Sequence, residues 1–292
     1  MDLIDRILTI PQFIAPQRAL SRLVWKITRL RNEKFKRLMI RAFLSRYDVD
    51  LSEAITADVD NYESFNDFFT RKLLPSSRPI SPIADAIVCP ADGTISQLGE
   101  INGENLFQAK GRYYSLSALL AGDANLVGKF TGGAFATIYL APHNYHRVHC
   151  PVTGTVKTVR YVPGRLFSVN NRTARCVENL FARNERVIVE LESDAGTIAV
   201  IFVGAMLVSS IDLNCADLSG AAETAVINPQ PISVACREDD PVFERGAELG
   251  RFNMGSTIIL LAQPGKVSWD PSLNHADIVR VGESLGSIAA PS

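Results

Sequence analysis

The stretch Ala195–Ile211, AGTIAVIFVGAMLVSSI, is the longest uncharged run of the chain. Its length is at the lower limit for a helix that crosses a bilayer. Ile and Val are abundant in it, and these β-branched residues favour strands. Gly196 and Gly204 are typical of bends in strands. The stretch therefore predicts buried strands with a bend in a core sheet, and not a membrane-spanning helix.

Short runs of β-branched residues around this stretch predict a larger sheet. From about Pro75 onward such runs alternate with Gly, Pro and Asn turns, a pattern typical of antiparallel sheets. The predicted strands are Ala134–Leu140, Gly154–Val162, Arg186–Glu192, Ile198–Val203 and Thr257–Leu261. A short helix is expected over Leu116–Leu120. The sequence thus predicts an α+β protein, with a basic amphipathic helical region over residues 1–74 and a mainly antiparallel, β-rich domain over residues 75–292.

Length and composition limit the classes of protein to which the chain can belong. The 292 residues suffice for one large domain or two modest ones. Hydrophobic residues make up 47% of the chain, which excludes an intrinsically disordered protein. The five cysteines are widely spaced and include no CxxC pair, so we expect reduced thiols in a cytosolic compartment. The N-terminus has no pattern typical of a secretory signal.

The formal net charge of −1 conceals a strongly basic N-terminal segment. Residues 1–47 hold eleven Lys or Arg and three acids, a net charge of +8: Arg6, Arg18, Arg22, Lys26, Arg29, Arg31, Lys34, Lys36, Arg37, Arg41 and Arg46 against Asp2, Asp5 and Glu33. Apolar residues recur at helical spacing in the same segment: Leu20, Leu23, Val24, Ile27 and Leu30, then Phe35, Leu38, Met39, Ala42 and Phe43. Three interpretations are open: an anionic membrane surface, docking on the acidic remainder of the chain, or nucleic-acid binding.

Two further motifs contain residues suited to proton transfer. Asp92, followed by Gly93 between two predicted strands, is locally typical of a turn. His143, His146 and His149 are three of the chain's four histidines and fall within seven residues. No acid or thiol at a familiar spacing completes a metal-ligand set, so no metal is expected. General acid–base chemistry and exposed loop histidines are the remaining alternatives.

The motif Gly250-Arg-Phe-Asn-Met-Gly-Ser-Thr257 directly precedes a predicted apolar strand. Gly255 permits a backbone shape closed to other residues, and it leaves the carbonyl of the Gly–Ser bond uncrowded. A serine hydroxyl in such a tight turn can attack the carbonyl of its own preceding peptide bond. The resulting ester can eliminate, cut the chain and leave a dehydroalanine that hydrolyses to a pyruvoyl group. The reaction requires a base and a group that orients it. A Gly-Ser-Thr turn alone is weak evidence.

Together these motifs resemble the phosphatidylserine decarboxylase family in order and spacing. The matching segments are Phe65–Leu73 (FNDFFTRKL), Arg78–Ile80, Ser81-Pro82, Cys89–Thr94 (CPADGT), Tyr145–His149 (YHRVH), Pro163–Asn170 (PGRLFSVN), Val203–Met206 and Gly250–Thr257. Two residues depart from the bacterial pattern. Met254 stands where Leu is usual, and Asn144 where Asp is common.

The resemblance implies a role for each candidate residue. Ser256 would be the nucleophile of self-cleavage and the precursor of a covalent pyruvoyl cofactor. His149 would be its base, and Asp92 would orient that base and stabilise its imidazolium. His146 would face the decarboxylation centre. Cleavage between Gly255 and Ser256 would give a β fragment, residues 1–255, and an α fragment, residues 256–292, which begins as a core strand and stays bound.

The resemblance also implies a substrate and a location. The expected reaction converts phosphatidylserine to phosphatidylethanolamine and CO2 through a Schiff base to the pyruvoyl group, without a metal. The expected partners are the lipid, an anionic membrane surface and a second copy of the chain, and not nucleic acid. Residues 1–47 would then hold the β-rich catalytic domain against the cytoplasmic side of the cell membrane.

Two other classes of protein are compatible with parts of the sequence. A serine hydrolase could use Ser256, His149 and Asp92, but the G-x-S-x-G elbow is missing and the serine precedes a strand. A non-catalytic β-barrel carrier module is suggested by residues 151–156 and 246–250, although no Lys or His is placed at a hairpin tip there.

Overall fold

The N-terminal region of the protein, in a computed structural model, consists of helices. The structure describes residue 5 and residues 9–109, 111–206 and 210–289. Arg6 of the basic segment, residues 207–209 of the uncharged stretch and the last three residues of the predicted α fragment therefore lie outside it. The helices are α1 (Pro11–Ile14), α2 (Gln17–Thr28), α3 (Glu33–Arg46) and α4 (Phe65–Phe69). Asn32 and Ser64 cap α3 and α4 by accepting bonds from Phe35 N and Asp67 N.

The rest of the described chain is built mainly of strands. In chain order these are β1 (Ala86–Val88), β2 (Gly93–Glu100), β3 (Asn105–Ala109), β4 (Arg112–Ser115), β5 (Ala134–Leu140), β6 (Arg147–His149), β7 (Gly154–Val162), β8 (Arg186–Ser193), β9 (Gly196–Val203), β10 (Ile211–Leu213), β11 (Ile232–Val234), β12 (Val242–Phe243), β13 (Glu248–Phe252), β14 (Ser256–Ala262), β15 (Val267–Trp269), β16 (Ile278–Val279) and β17 (Ser284–Ile288). Short helices connect them: α5 (Leu116–Leu119), α6 (Ala124–Phe130), α7 (Asn171–Cys176), α8 (Leu180–Arg183) and α9 (Ser219–Ile227). The predicted α+β class is confirmed.

The largest sheet has the strand order β11-β7-β8-β9-β14-β5-β2-β16, and β12 also pairs with β7. Each of these pairs is antiparallel. Strand β14 lies near the middle, with Ser256 opposite Leu140 on β5 and Thr257 opposite Val203 on β9. All seven residues of β14 are buried. The predicted strands of this sheet are confirmed. They could be predicted because central strands, which are covered on both faces, appear in the sequence as continuous runs of β-branched and apolar residues.

Two smaller three-stranded sheets accompany the large one. One has the order β10-β13-β6 and the other β1-β17-β15. The chain leaves β13 in the first of these at Phe252 and enters the large sheet at Ser256. The connection Asn253–Gly255 therefore joins two sheets, and β6, which contains His149, is the hydrogen-bonded neighbour of β13.

An aromatic cluster joins α3 and α4 to this connection. Its buried members are Ile40, Tyr62, Phe65, Phe68 and Phe69, with Phe43 and Met254 packed against them. The Lys36 ammonium is also buried, and donates to the carbonyls of Asp60 and Tyr62 at 3.0 and 2.7 Å. Helix α3 is thus part of the folded body next to the predicted cleavage point.

Helix α2 docks with its polar side inward. Its buried residues are Gln17, Ser21 and Thr28, and the Gln17 amide oxygen accepts a bond from Leu166 N at 2.9 Å. Leu23 and Leu30 of the predicted apolar stripe are about half exposed, whereas Leu20, Val24 and Ile27 are partly buried. Docking on the rest of the chain is therefore observed, but part of the apolar stripe faces outward.

The buried side chain of Arg186 connects two short helices, α5 and α8, to the start of β8. Its guanidinium donates to the carbonyls of Ala118 and Leu119 at the end of α5, and of Ala182 and Asn184 at the end of α8. Carbonyls at helix C-termini carry partial negative charge, so they stabilise a cation that has no carboxylate partner. Burial lowers the pKa of Arg186 to about 10, which still leaves it charged at neutral pH.

We predict that Arg186→Met lowers the unfolding temperature by about 5 °C or more, because several buried carbonyls lose a charged donor at once. Thermal unfolding followed by circular dichroism measures the change. Arg183→Met, at an exposed position of α8, is the matched control and should leave the unfolding temperature nearly unchanged. Equal unfolding temperatures for the two variants would contradict the role given to Arg186.

Candidate active site

Ser256 occupies the first position of the central strand β14. Its side chain is fully buried, and its Oγ has no hydrogen-bond partner among the residues that the structure describes. A buried hydroxyl usually finds a partner, since leaving it without one costs about 1–3 kcal/mol. The hydroxyl is thus held away from water and free to react.

The strained residue beside the predicted cleavage point is Met254, and not Gly255. Met254 has φ = +101°, a conformation that L side chains rarely adopt, whereas Gly255 is absent from the positive-φ glycines. The positive φ that a glycine would permit therefore lies at Met254 and not at Gly255. A Cβ built on Gly255 would meet no atom within 4 Å, so the backbone has open space there. Non-glycine residues in such regions cost about 1–3 kcal/mol and need support from their surroundings.

Asn253 provides part of that support. It is fully buried, and its Nδ2 donates to Ser210 Oγ at 2.7 Å while its Oδ1 accepts from Asn66 Nδ2 at 3.0 Å. On the other side of Met254, the strand pairing begins at Ser256. Asn66 belongs to α4, so the segment FNDFFTRKL contributes directly to holding the connection. This contact joins residues 187 positions apart, and local sequence patterns do not predict it.

His149 lies on β6 with both ring nitrogens engaged. Nδ1 is 2.7 Å from the Gly246 carbonyl, and Nε2 is 3.1 Å from the Tyr145 hydroxyl. A carbonyl only accepts, so Nδ1 carries the proton and Nε2 has the lone pair. Burial lowers the pKa of His149 below its ordinary value, partly offset by the Gly246 bond and the charges of Glu248 and Asp92. His149 is therefore a neutral base with its lone pair on Nε2.

Asp92 is buried and forms bonds with groups other than His149. Its carboxylate accepts from Arg78 Nε at 2.9 Å and Nη2 at 2.6 Å, and from Val281 N at 2.9 Å. Arg78 also binds Glu53 at 2.8 Å. The Gly246 carbonyl, and not Asp92, orients the imidazole of His149. The two residues still lie close, because His149 N bonds to Pro90 O at 2.7 Å in the loop before Asp92.

His146 is fully buried and stacked on Phe69, with ring centroids 4.2 Å apart. Its Nε2 lies 3.3 Å from the Pro142 carbonyl, so Nε2 carries the proton of the neutral ring. Nδ1 has no hydrogen-bond partner within the described part of the chain. Burial, with a smaller contribution from the charge of Arg71, lowers the pKa of His146 to about 3. Its backbone carbonyl accepts from Phe252 N at 3.0 Å, three residues before Gly255.

The four predicted site residues therefore gather around one connection without forming a bonded triad. His146 directly precedes β6 and His149 is its last residue, both beside β13, and Asp92 directly precedes β2. Thr94 of β2 and Thr257 of β14 both pair with Tyr139 of β5, so the two strands lie about 10 Å apart. No bond between Ser256 Oγ, His149 and Asp92 is present among the described side chains. The third histidine of the motif, His143, is exposed.

Three residues of the site were given no role from sequence. Tyr145 binds His149, Arg78 binds Asp92, and Arg71 lies beside His146. Arg71 lies in the segment FNDFFTRKL, Arg78 in RPI and Tyr145 in YHRVH. The motifs therefore included these three residues but gave no indication of their contacts. Within residues 5, 9–109, 111–206 and 210–289, no group of three or more His, Cys, Asp or Glu side chains could hold a metal ion.

Comparisons with known proteins agree with this arrangement. A family model described as phosphatidylserine decarboxylase matches residues 65–287, and a second model, described as PSD, matches residues 7–48. The phosphatidylserine decarboxylase proenzyme of Pseudomonas entomophila is 47% identical over 286 residues, 96% of this chain and 97% of that protein. That of Methylococcus capsulatus is 47% identical over 281 residues, 94% of each chain. That of Bordetella avium is 46% identical over 289 residues, 98% of this chain and 96% of the other.

These comparisons support neither a serine hydrolase nor a carrier module. The family model spans most of the chain and includes every candidate site residue. The relatives are named as proenzymes and match over nearly their whole length. The chain belongs to the phosphatidylserine decarboxylase family.

Proposed function

We propose that the chain cuts itself between Gly255 and Ser256 and then decarboxylates phosphatidylserine to phosphatidylethanolamine and CO2. The observation that carries this proposal is the Ser256 hydroxyl, buried and unpartnered among the described residues, two positions after the strained Met254. The names of the relatives support the substrate and the proenzyme state.

The cleavage is an acyl shift followed by an elimination. Ser256 Oγ attacks the Gly255 carbonyl carbon, a C–O bond forms, the peptide C–N bond breaks, and the serine nitrogen takes up a proton. Loss of the Cα proton then breaks the Cβ–Oγ bond and releases Gly255 as a carboxylate. The dehydroalanine left at residue 256 takes up water and loses ammonia. Strain at Met254 and the open space beside Gly255 favour the attack, because the peptide can move without displacing neighbouring atoms.

His149 accepts the proton of the Ser256 hydroxyl. Its neutral ring and its lone pair on Nε2 suit this role, and the Gly246 carbonyl fixes the tautomer. The Tyr145 hydroxyl occupies this lone pair at 3.1 Å, so this bond opens before the proton moves. Asp92 stabilises the imidazolium through its negative charge, which acts on His149 without a direct bond.

The surroundings of Ser256 fit a pyruvoyl group at that position. After cleavage, residue 256 remains at the start of β14, held by pairing with β5 on one side and β9 on the other. A pyruvoyl group supplies a ketone that captures the substrate amine and accepts the electron pair left by CO2. The role of the chain is to hold this ketone in a dry site, since the whole of β14 is buried.

His146 supplies a proton during turnover. Nδ1 is its unpartnered atom in the described structure, and Phe69 stacks against the ring and excludes water from one face. Because burial lowers the pKa of His146 to about 3, the ring is neutral and holds no proton at Nδ1 at rest, so the Nδ1 lone pair takes up a proton from water or substrate and passes it on directly. We place this transfer at the carbon that loses CO2.

The substrate is a membrane lipid, and we propose that the N-terminal region, residues 1–74, holds the protein on the cytoplasmic face of the cell membrane. No helix among the described residues has the length and apolar character needed to cross a bilayer. Support comes from α1, α2 and the residues that directly follow α2, where Phe13, Ile14, Leu23 and Leu30 are 44–83% exposed in the same segment as the basic side chains Arg18, Arg22 and Lys26. Exposed apolar residues with flanking cations are typical of interfacial helices.

We expect purified wild-type protein to give two fragments by intact-mass spectrometry, and Ser256→Ala to give one inactive chain of 31.9 kDa, because the attacking oxygen is removed. Ser268→Ala, at an exposed position of the same α fragment, serves as the control and should mature normally. Maturation of Ser256→Ala would show that another residue makes the cut.

We also propose that two copies of the cleaved chain form a homodimer, and native masses of the same wild-type sample report whether they do.

We predict that His149→Ala and Asp92→Asn slow self-cleavage at least 100-fold, because the base or its charge partner is lost. His146→Ala should leave cleavage nearly intact and reduce CO2 release by a similar factor. Pulse–chase gels measure cleavage, and radiolabelled phosphatidylserine measures turnover. His275→Ala, at an exposed position between β15 and β16, is the control for both. A His146→Ala protein that fails to cut itself would indicate that the two histidines have exchanged roles.

The double variant Ile14→Asn/Leu23→Asn should bind anionic vesicles at least tenfold more weakly, since two exposed apolar side chains no longer enter the interface. Sedimentation with phosphatidylserine-containing vesicles gives the bound fraction. Val242→Asn, on β12 and equally exposed, is the matched control. Unchanged sedimentation of the double variant would exclude α1 and α2 as the docking surface.

A further inference from the structure

A cleft of about 690 Å³ opens beside the site and carries charged groups of both signs. Its lining includes Arg71, Arg78, Asp92, His143 and Tyr145. The loop that follows Leu140 forms one wall, and Leu140 is the residue opposite Ser256 on β5. The cleft therefore opens next to residues of the site and offers a route by which a headgroup can approach.

Arg71 differs from the other cations of this cleft because it is buried without a counter-charge. It is 6% exposed, and its Nη2 donates to the His143 carbonyl at 3.2 Å. Its Nε and Nη1 have no partner among the described residues. The nearby carboxylates of Glu53 and Asp92 are both bound to Arg78. A guanidinium with unused donors in a dry pocket requires an anion, because burying an unpaired charge is costly.

The surroundings hold Arg71 in this position. The preceding carbonyl, of Thr70, accepts from Arg147 Nε at 2.9 Å, and Arg147 in turn binds both oxygens of Glu248 at 2.8 Å. The guanidinium lies 5.8 Å from the centre of the Phe68 ring. The neighbouring residue Phe69 stacks on His146. Arg71 is thus preorganised next to the histidine that we assign to decarboxylation.

We propose that Arg71 binds an anionic oxygen group of the phosphatidylserine headgroup, either the serine carboxylate or the phosphodiester, through its free donors at Nε and Nη1. This inference rests on the proposed function. Binding at this point places the serine moiety between Arg71 and the start of β14, with His146 alongside. Arg78 cannot do the same, because Asp92 and Glu53 already occupy its donors.

The test uses mature enzyme in mixed micelles and compares Arg71→Gln with wild type. We expect KM for phosphatidylserine to rise about 10- to 100-fold, the effect of losing charged hydrogen bonds, with a smaller change in kcat. Self-cleavage, read as fragment masses, should be unaffected. Arg183→Gln is the control at an exposed site. If wild type is active and the KM of Arg71→Gln is unchanged, only the inference about Arg71 is overturned. If wild type releases no CO2, the proposed function itself is overturned.

Product inhibition distinguishes the two anionic groups. Phosphatidylethanolamine keeps the phosphodiester and lacks the carboxylate. A weakened inhibition by this product in Arg71→Gln assigns the phosphodiester, and an unchanged inhibition together with a raised KM assigns the carboxylate.

A second variant covers the case in which Arg71→Gln fails to mature. Arg71→Lys keeps the charge but loses the donor at Nε, and should raise KM several-fold. An unchanged KM in Arg71→Lys then overturns the proposal. Failure of both variants to self-cleave, with unfolding temperatures equal to that of wild type, also overturns it by assigning Arg71 to the cleavage step.

Discussion

The pairing of β14 with β5 and β9 is the constraint on which the other features of the site depend. Pairing with β5 begins at Ser256 itself and pairing with β9 at Thr257, so the proposed nucleophile is fixed by the middle of the largest sheet and not by a mobile loop. The strand before the connection, β13, belongs to a different sheet, so residues 253–255 must span a fixed gap. Backbone strain at Met254 follows from this spacing, because both ends of a three-residue connection are held.

The N-terminal helices contribute to the same constraint. Helices α3 and α4 bring the aromatic cluster against Met254, and Asn66 of α4 bonds to Asn253. Phe69 of α4 covers His146. Helices α1 and α2 instead turn polar side chains toward the body and leave part of their apolar stripe exposed. The helical region is therefore divided between support of the site and an outer surface suited to lipid.

Much of the fold was predictable from sequence because its central strands are buried on both faces. The run Ala134–Leu140 matches the observed strand at both ends, and so does the partly exposed Gly154–Val162 nearer the edge of the sheet. The residues that gather at the site were also identified, since their motifs lie at the ends of such strands. The hydrogen bonds that these residues form could not be identified from the sequence. The Arg78–Asp92 pair and the Gly246–His149 contact depend on how distant segments pack, and the φ of Met254 on the gap it spans. The periodicity of α2 likewise predicted which residues form its apolar stripe, but it did not predict which side of the helix faces the rest of the protein.

The proposed cut at Ser256 would have a consequence for the life of the molecule. Before the cut, β14 reaches the centre of its sheet as part of one continuous polypeptide. Afterwards the same strand would belong to a separate short peptide, and its return to the sheet after unfolding would become a bimolecular reaction between two pieces. The mature protein would therefore be preserved by its unfolding barrier and not by a reversible equilibrium, and each molecule would be assembled only once, from its precursor.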